Sequence, residues 1–217
     1  MRMQAYISSP NPDSVITHIA DQGFCIVENF LDSVTVSSLA AEAIDLQTKS
    51  ELKLAGIGRE NHALNAEIRG DSIYWLDAAQ ATAAQQIYFK QMEQLRLSLN
   101  QSLYLGLFGL ESHLAVYPAG AFYKRHLDCF ANADQTKPQR KISCIVYLNQ
   151  YWQADDGGEL RLYLNTENAE QESYLDIAPL SGRAVIFLSD SFYHEVLPAR
   201  RERMSLTGWF FTRPQGF

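Results

Sequence analysis

The stretch YKRHLDC at residues 123–129 sets the interpretation of this chain, together with FYHEV at residues 192–196. On an extended strand, residues i and i+2 point to the same face, so His126 and Asp128 can reach one point together. An imidazole beside a carboxylate is half of a metal site, and His194 from a distant strand would add a second imidazole. Two histidines and one carboxylate bind one face of a metal ion and leave positions open for substrate and O2.

A lone HxD triplet often occurs by chance, so the residues that follow His194 matter. Arg203 comes nine residues later, across the turn-like LPAR at residues 197–200 and just before an apolar run. A strand, a turn and a returning strand would bring its guanidinium back toward the metal, where it could bind a carboxylate with two hydrogen bonds. The alternative is that Arg203 is an exposed member of the basic cluster that begins at Arg200.

Composition limits the classes of protein to consider. The 217 residues are 47% apolar and 12% aromatic, which predicts one domain, 1–217, with a well-packed core. The net charge of −7 argues against nucleic acid as a partner. Three cysteines at unrelated spacings favour reduced thiols, and the N-terminus lacks the apolar core of a signal peptide. We therefore expect a cytoplasmic protein with no membrane partner; the oligomeric state stays open, with a monomer favoured.

The first half of the chain reads as helical support, residues 1–110. Asn11-Pro12 is a good helix start and Gly23 a good end, a second helix begins at Asp32 or Ser33, and a long helix covers Thr82–Leu103. A buried strand is predicted for residues 24–30, and a return to strand character for residues 68–76. The aperiodic stretch Ala55–Asp71 is expected to be a lid over a site, with a plain surface loop as the alternative.

The second half, residues 111–213, changes to short strand-like segments separated by Gly, Pro, Asn and Asp. Eight are predicted: 113–117, 122–126, 142–148, 159–164, 174–177, 184–188, 193–196 and 204–212. Such a series is typical of a β-sandwich or jelly roll. The predicted class is therefore α+β, with N-terminal helices supporting a jelly-roll core, the cupin-like double-stranded β-helix.

With these residues in place, the chain resembles the Fe(II)- and 2-oxoglutarate-dependent oxygenases, and most closely the oxygen-sensing prolyl 4-hydroxylases and their bacterial relatives. The resemblance extends from about residue 23 to residue 214. It includes IRGDSIYW at 68–75, YP at 117–118, ISCIVYLN at 142–149, GGELRLY at 157–163, HEVLPA at 194–199 and RMSLTGWF at 203–210. One departure is CFAN at 129–132, which replaces an Asn-Pro-rich stretch and puts the identity of the substrate in doubt.

The resemblance implies a function for each site residue. His126, Asp128 and His194 would hold Fe(II), and Arg203, helped by Tyr147, would bind the distal carboxylate of 2-oxoglutarate. Tyr117 would lie near its metal-chelating end. The walls of the cosubstrate pocket would be Ser143, Leu160, Val196, Thr207 and Trp209. The substrate-facing residues would be Arg69, Asp71 and Arg140, with Asp71 paired to Arg140.

The implied activity is hydroxylation of a prolyl residue in a protein or peptide, with O2 consumed, succinate and CO2 as co-products, and L-ascorbate (vitamin C) as a further cofactor. Two alternatives remain open at this point. The same chemistry could act on a small molecule or another side chain. The chain could also be a non-catalytic jelly-roll module that binds 2-oxoglutarate or senses oxygen, although the intact metal residues and Arg203 argue against this.

Overall fold

The computed structural model describes residues 5–56, 67–129, 134, 136–165 and 173–214. The lid predicted for Ala55–Asp71 falls largely on residues 57–66, which lie outside the described residues. Most of the CFAN departure, residues 130–132, also lies outside them.

The described chain contains three α-helices, and each begins at a side chain that caps it. They are α1 (Pro12–Gln22), α2 (Ser33–Thr48) and α3 (Ala83–Leu103). The Asn11 side chain accepts a hydrogen bond from the Asp13 backbone N–H, Asp32 accepts from two backbone N–H groups, and Thr82 accepts from Gln85. Such caps satisfy backbone donors that have no partner within the helix. The three predicted helix starts are confirmed.

Twelve strands among the described residues form two sheets. The strands are β1 (Tyr6–Ile7), β2 (Phe24–Val27), β3 (Lys53–Leu54), β4 (Ser72–Trp75), β5 (Leu107–Tyr117), β6 (Tyr123–His126), β7 (Gln139–Tyr147), β8 (Leu160–Asn165), β9 (Ser173–Ile177), β10 (Ala184–Leu188), β11 (His194–Val196) and β12 (Arg203–Thr212). The large sheet has the order β1-β2-β10-β7-β12-β5-β4-β3, and the small sheet has the order β6-β11-β8-β9. All strand pairs are antiparallel except β1 with β2.

The large sheet separates two apolar cores because its side chains alternate between its faces. One core packs the helices, through residues such as Leu39 and Met92, against sheet residues such as Leu114. The other core lies between the two sheets and includes Ile145 of β7 and Leu162 of β8. The sandwich predicted from the strand pattern is confirmed, and its inner space is where the predicted site residues meet.

The eight strands predicted after residue 110 are all present, with ends that differ by a few residues. The largest difference is β5, which begins at Leu107 rather than at 113 because its pairing with β12 continues to Leu107. The two-residue strands β1 and β3 were not predicted. Among the described residues, no helix is both long and apolar enough to cross a membrane. The assignment of the whole chain to one domain stays a prediction.

Candidate active site

The three predicted metal ligands come together at one edge of the small sheet. His126 ends β6, His194 begins β11, and the two residues are direct partners across the antiparallel pair. Asp128 follows two residues after β6, and its Oδ1 and Oδ2 lie 3.8 Å from His126 Nε2 and 3.6 Å from His194 Nε2. One ligand atom from each residue lies within 4.8 Å of the other two. This spacing allows all three to bind a single ion.

Hydrogen bonds to the backbone fix which imidazole nitrogen faces the ion. His126 Nδ1 lies 2.7 Å from the Lys124 carbonyl oxygen, and His194 Nδ1 lies 3.1 Å from that of Phe192. A carbonyl oxygen only accepts, so each Nδ1 carries a proton, and in the neutral form of each ring Nε2 has its lone pair available for a metal. Burial, reinforced by the neighbouring His194, lowers the pKa of His126 to about 3. His126 is therefore a neutral ligand at working pH.

The carboxylate of Asp128 is held by a pair of buried serines. Ser143 Oγ donates to Asp128 Oδ2 at 2.7 Å, and Ser189 Oγ lies 2.8 Å from Ser143 Oγ. Burial alone would raise the pKa of Asp128, but His194, His126 and other neighbours outweigh it and lower the pKa to about 2. Asp128 is thus ionised, and two imidazoles with one carboxylate form the donor set of non-haem Fe(II) sites.

Replacing Ser143 with Ala is expected to weaken metal binding about tenfold, because hydrogen bonds to a ligating carboxylate orient it for the ion. The measurement is a titration with Mn(II). A suitable control is Ser112→Ala, which also removes a buried hydroxyl but one that is bonded to Tyr88 Oη, 2.9 Å away. Equal Mn(II) affinity in the Ser143 variant and the Ser112 control would contradict this expectation.

Beside the metal residues lies a cleft of about 550 Å³ between the two sheets. Its lining includes all three predicted metal ligands, Tyr117, and the apolar and aromatic side chains of both sheets. Of the five predicted wall residues, Leu160, Val196, Thr207 and Trp209 line it. Ser143 does not line it; this residue is fully buried, and its hydroxyl is bonded to Asp128.

Arg203 and Tyr147 are not among the residues that line this cleft, but Arg203 lies directly next to Tyr117, which does line it. Arg203 is 1% exposed, and its Nε donates to the Gly158 carbonyl oxygen at 2.9 Å. Its guanidinium carbon lies 5.2 Å from the ring centre of Tyr117 and 5.1 Å from that of Tyr147. The alternative of an exposed Arg203 in a basic surface cluster is excluded by this burial. The structure therefore shows that Tyr117 lies close to Arg203. The expected position of Tyr117 at the metal-chelating end of 2-oxoglutarate stays a prediction.

Two buried donors in this region have no hydrogen-bond partner in the described part of the chain. They are Arg203 Nη2 and Tyr147 Oη, both buried. Burial raises the pKa of Tyr147 to about 12, so its hydroxyl keeps its proton. An unpaired buried donor costs about 1–3 kcal/mol, and more when it is charged, so such a pair fits an anionic ligand with two acceptor oxygens. The distal carboxylate of 2-oxoglutarate has that chemistry.

Comparisons with known proteins agree with this geometry. Residues 112–211 match the 2OG-Fe(II) oxygenase superfamily. The chain is 30% identical to human prolyl hydroxylase EGLN3 over 206 residues, which cover 91% of this chain and 82% of that protein. The chain belongs to the 2OG-Fe(II) oxygenase superfamily, among its prolyl hydroxylases. Human Egl nine homolog 1 is also 30% identical, over 87% of this chain but only 44% of its own length.

Solved structures place the oxygenase in the same group and confirm its jelly-roll fold. A Pseudomonas putida prolyl-4-hydroxylase has 43% identity and a TM-score of 0.80, covering 94% of this chain and all of that chain. A Trichoplax adhaerens prolyl hydroxylase, in complex with a hypoxia inducible factor peptide fragment, has 28% identity and a TM-score of 0.78, covering 92% and 88% of the two chains. The epimerase SnoN, at 13% identity and a TM-score of 0.67, shares the fold alone.

The predicted substrate residues of this oxygenase make different ion pairs from the one expected. Arg69 holds Asp71 through two hydrogen bonds of 2.7 and 2.6 Å, and the Asp71 side chain is fully buried. Arg140 instead donates to Glu111 at 2.8 Å and lies over the Trp209 ring. The predicted pair between Asp71 and Arg140 is therefore wrong. Arg69 reaches Asp71 first because it lies only two residues away on the same extended segment.

Several residues that were not assigned to the cleft from the sequence also line it, and four of them have large or charged side chains. They are Trp75, Glu111, His113 and Tyr123. Trp75 is 47% exposed at the cleft. The sequence could have placed His113 in the cleft, because it lies four residues before Tyr117 on the same predicted strand and therefore faces the same side. Its ring lies between those of Trp75 and Trp209, at 5.0 and 5.2 Å between centres.

Proposed function

We propose that this oxygenase hydroxylates a prolyl residue of a protein or peptide, using Fe(II), 2-oxoglutarate and O2 and releasing succinate and CO2. The observation that carries the proposal is the meeting of His126, Asp128 and His194 at the edge of the cleft, with one ligand atom of each within 4.8 Å of the others. The bond of each imidazole Nδ1 to a backbone carbonyl supports it, because both Nε2 lone pairs are left for the ion.

Each group of the site has a defined task in this proposal. His126, Asp128 and His194 hold iron, which with bound 2-oxoglutarate supplies the oxidising power that places one oxygen atom of O2 into a C–H bond. Arg203 and Tyr147 donate hydrogen bonds to the distal carboxylate of the cosubstrate. Since both are buried, water does not compete for that carboxylate, and the cosubstrate is held in one orientation.

The proline-containing substrate is proposed from the relatives and from the open side of the cleft. The relatives include prolyl hydroxylases with 43% and 28% identity, the second of them bound to a peptide fragment. Arg69 and Arg140, whose side chains are 13% and 20% exposed, lie on this side and are proposed to face the substrate, with Asp71 supporting Arg69. We also propose that L-ascorbate maintains the reduced iron and that the protein acts in the cytoplasm as a monomer.

The test is turnover by the purified chain with Fe(II), ascorbate and 2-oxoglutarate, together with mass spectrometry of host proteins treated with it. The expected result is succinate formation and a gain of one oxygen atom on specific prolines. The Asp128→Asn variant should show neither, because it removes the ligating carboxylate. Oxygen gained only on other residues or on small molecules would refute the prolyl substrate, and tight 2-oxoglutarate binding without succinate would indicate a non-catalytic module.

A further inference from the structure

The ring of Tyr123 covers one face of the metal-site imidazole of His126. The two ring centres are 3.6 Å apart and the ring planes differ by only 16°. His126 is the most exposed of the three residues, with 15% of its side chain accessible against 6% for Asp128 and 4% for His194. Its Nδ1 bond to Lys124 is a single contact about which the ring can still tilt. A flat ring packed on its face restricts that tilt.

A β-bulge brings Tyr123 to this position. Residues three apart on a regular strand point to opposite faces, which would turn Tyr123 away from His126. Here His194 pairs with His126 while Val196 pairs with Tyr123, so the single residue Glu195 faces two residues of β6. The extra residue reverses the alternation, and both rings lie on the cleft side. Bulges are frequent beside active sites for this reason.

Arg69 holds Tyr123 from its own segment. Its guanidinium carbon lies 4.4 Å from the centre of the Tyr123 ring. The guanidinium is fixed by two hydrogen bonds to the buried Asp71 and one of 3.3 Å to the Gly56 carbonyl oxygen. The backbones also join, since Arg69 and Tyr123 form an antiparallel bridge. Arg69, Tyr123 and His126 therefore form one continuous stack that ends at the metal site.

We propose that Tyr123 is a positioning residue for the metal ligand His126, and that Arg69 acts on the same ligand through Tyr123. This inference rests on the proposed function, because it requires a metal at His126. It gives Arg69 a task that does not depend on substrate contact: the side of the cleft that carries Arg69 is connected mechanically to the metal site. The phenol hydroxyl takes no part, so the flat ring alone is required.

The experiment is a titration of the metal-free full chain with Mn(II), followed by the electron paramagnetic resonance signal of the free ion. Tyr123→Leu, which keeps apolar volume but removes the flat ring, is expected to weaken Mn(II) binding about tenfold. Tyr123→Phe retains the stack and is expected to bind within about twofold of the wild type. Arg69→Ala is expected to give a smaller loss than Tyr123→Leu. The absorption bands of bound Co(II) should shift in Tyr123→Leu and not in Tyr123→Phe.

A matched control exists on the same small sheet. Arg161 makes two hydrogen bonds to Asp176 and lies 3.9 Å from the centre of the Tyr174 ring, so it repeats the arrangement of Arg69 away from the metal. Tyr174→Leu and Arg161→Ala should therefore leave Mn(II) affinity unchanged.

Unchanged Mn(II) affinity and Co(II) bands in Tyr123→Leu, with the far-UV circular dichroism of the wild type, would overturn the inference and leave the metal site standing. If Tyr123→Leu does not fold, Arg69→Ala becomes the deciding variant. Wild-type Mn(II) affinity in Arg69→Ala would then overturn the inference. A wild-type chain that binds no Mn(II) would refute the metal site itself, and with it the proposed function.

Discussion

The His194→Ala variant should lose 2-oxoglutarate turnover completely and bind Fe(II) at least about 100-fold more weakly, since even the loss of an outer partner of a ligand costs 10–100-fold in affinity. His194 is the most buried of the three proposed ligands and faces both of the others. Its removal leaves only His126 and Asp128, which cannot surround one face of the ion. Iron content measured after anaerobic gel filtration, together with succinate release, checks this expectation.

A His18→Ala variant is the control for the loss of an imidazole. His18 lies on α1, and its Nδ1 bonds to the Ser14 carbonyl oxygen within that helix. Both variants should fold. His194→Ala is expected to lower the free energy of unfolding by about 1–3 kcal/mol, which is ordinary for the substitution of a buried residue. Stoichiometric iron bound by His194→Ala at unchanged affinity would mean that another residue completes the site.

The Arg203→Ala variant should raise the 2-oxoglutarate requirement at least about tenfold while iron binding is kept. Losing one member of a buried, hydrogen-bonded charge pair costs about 2–5 kcal/mol, and each 1.4 kcal/mol is a factor of ten in affinity. Arg203→Lys should rescue only part of the loss, because an ammonium cannot reproduce the planar fork of a guanidinium. The measurements are the apparent KM for 2-oxoglutarate and Mn(II) affinity.

Stability gives a second measure of the same residue. Without cosubstrate, Arg203 is buried with its Nη2 unpaired, so Arg203→Met should unfold at or above the wild-type temperature. Added 2-oxoglutarate should raise the unfolding temperature of the wild type and not of this variant. Arg200→Ala is the control, since Arg200 is exposed. An unchanged 2-oxoglutarate requirement in Arg203→Ala would identify another residue as the carboxylate clamp.

The parts of the site that followed from the sequence depend on local alternation. His126 and Asp128 are two residues apart on extended chain, and a turn after β11 returns the chain so that Arg203 begins the next strand. Such relations need no knowledge of the distant chain. The helix starts at Asn11, Asp32 and Thr82 were predictable for the same reason, because a cap is read from neighbouring residues.

The parts that did not follow depend on register and on competition between partners. The bulge in β6 is invisible in its sequence, yet it decides that Tyr123 faces His126. The partner of Asp71 depends on which arginine can reach it. Arg69, two residues away, pairs with Asp71, while Arg140 pairs with Glu111. Strands β1 and β3, of two residues each, are too short to give a periodic pattern and form by pairing with β2 and β4.

The division of the interior by the large sheet has an evolutionary consequence. Alternate residues of one strand serve different tasks: on β7, Val146 packs toward the helices, while Ile145 faces the cleft. Substitutions on the cleft side can alter which substrate is accepted while the helix-facing residues continue to hold the sheet together. Substrate range and thermal robustness can therefore drift separately in this protein, although the positions that govern them alternate along the same strands.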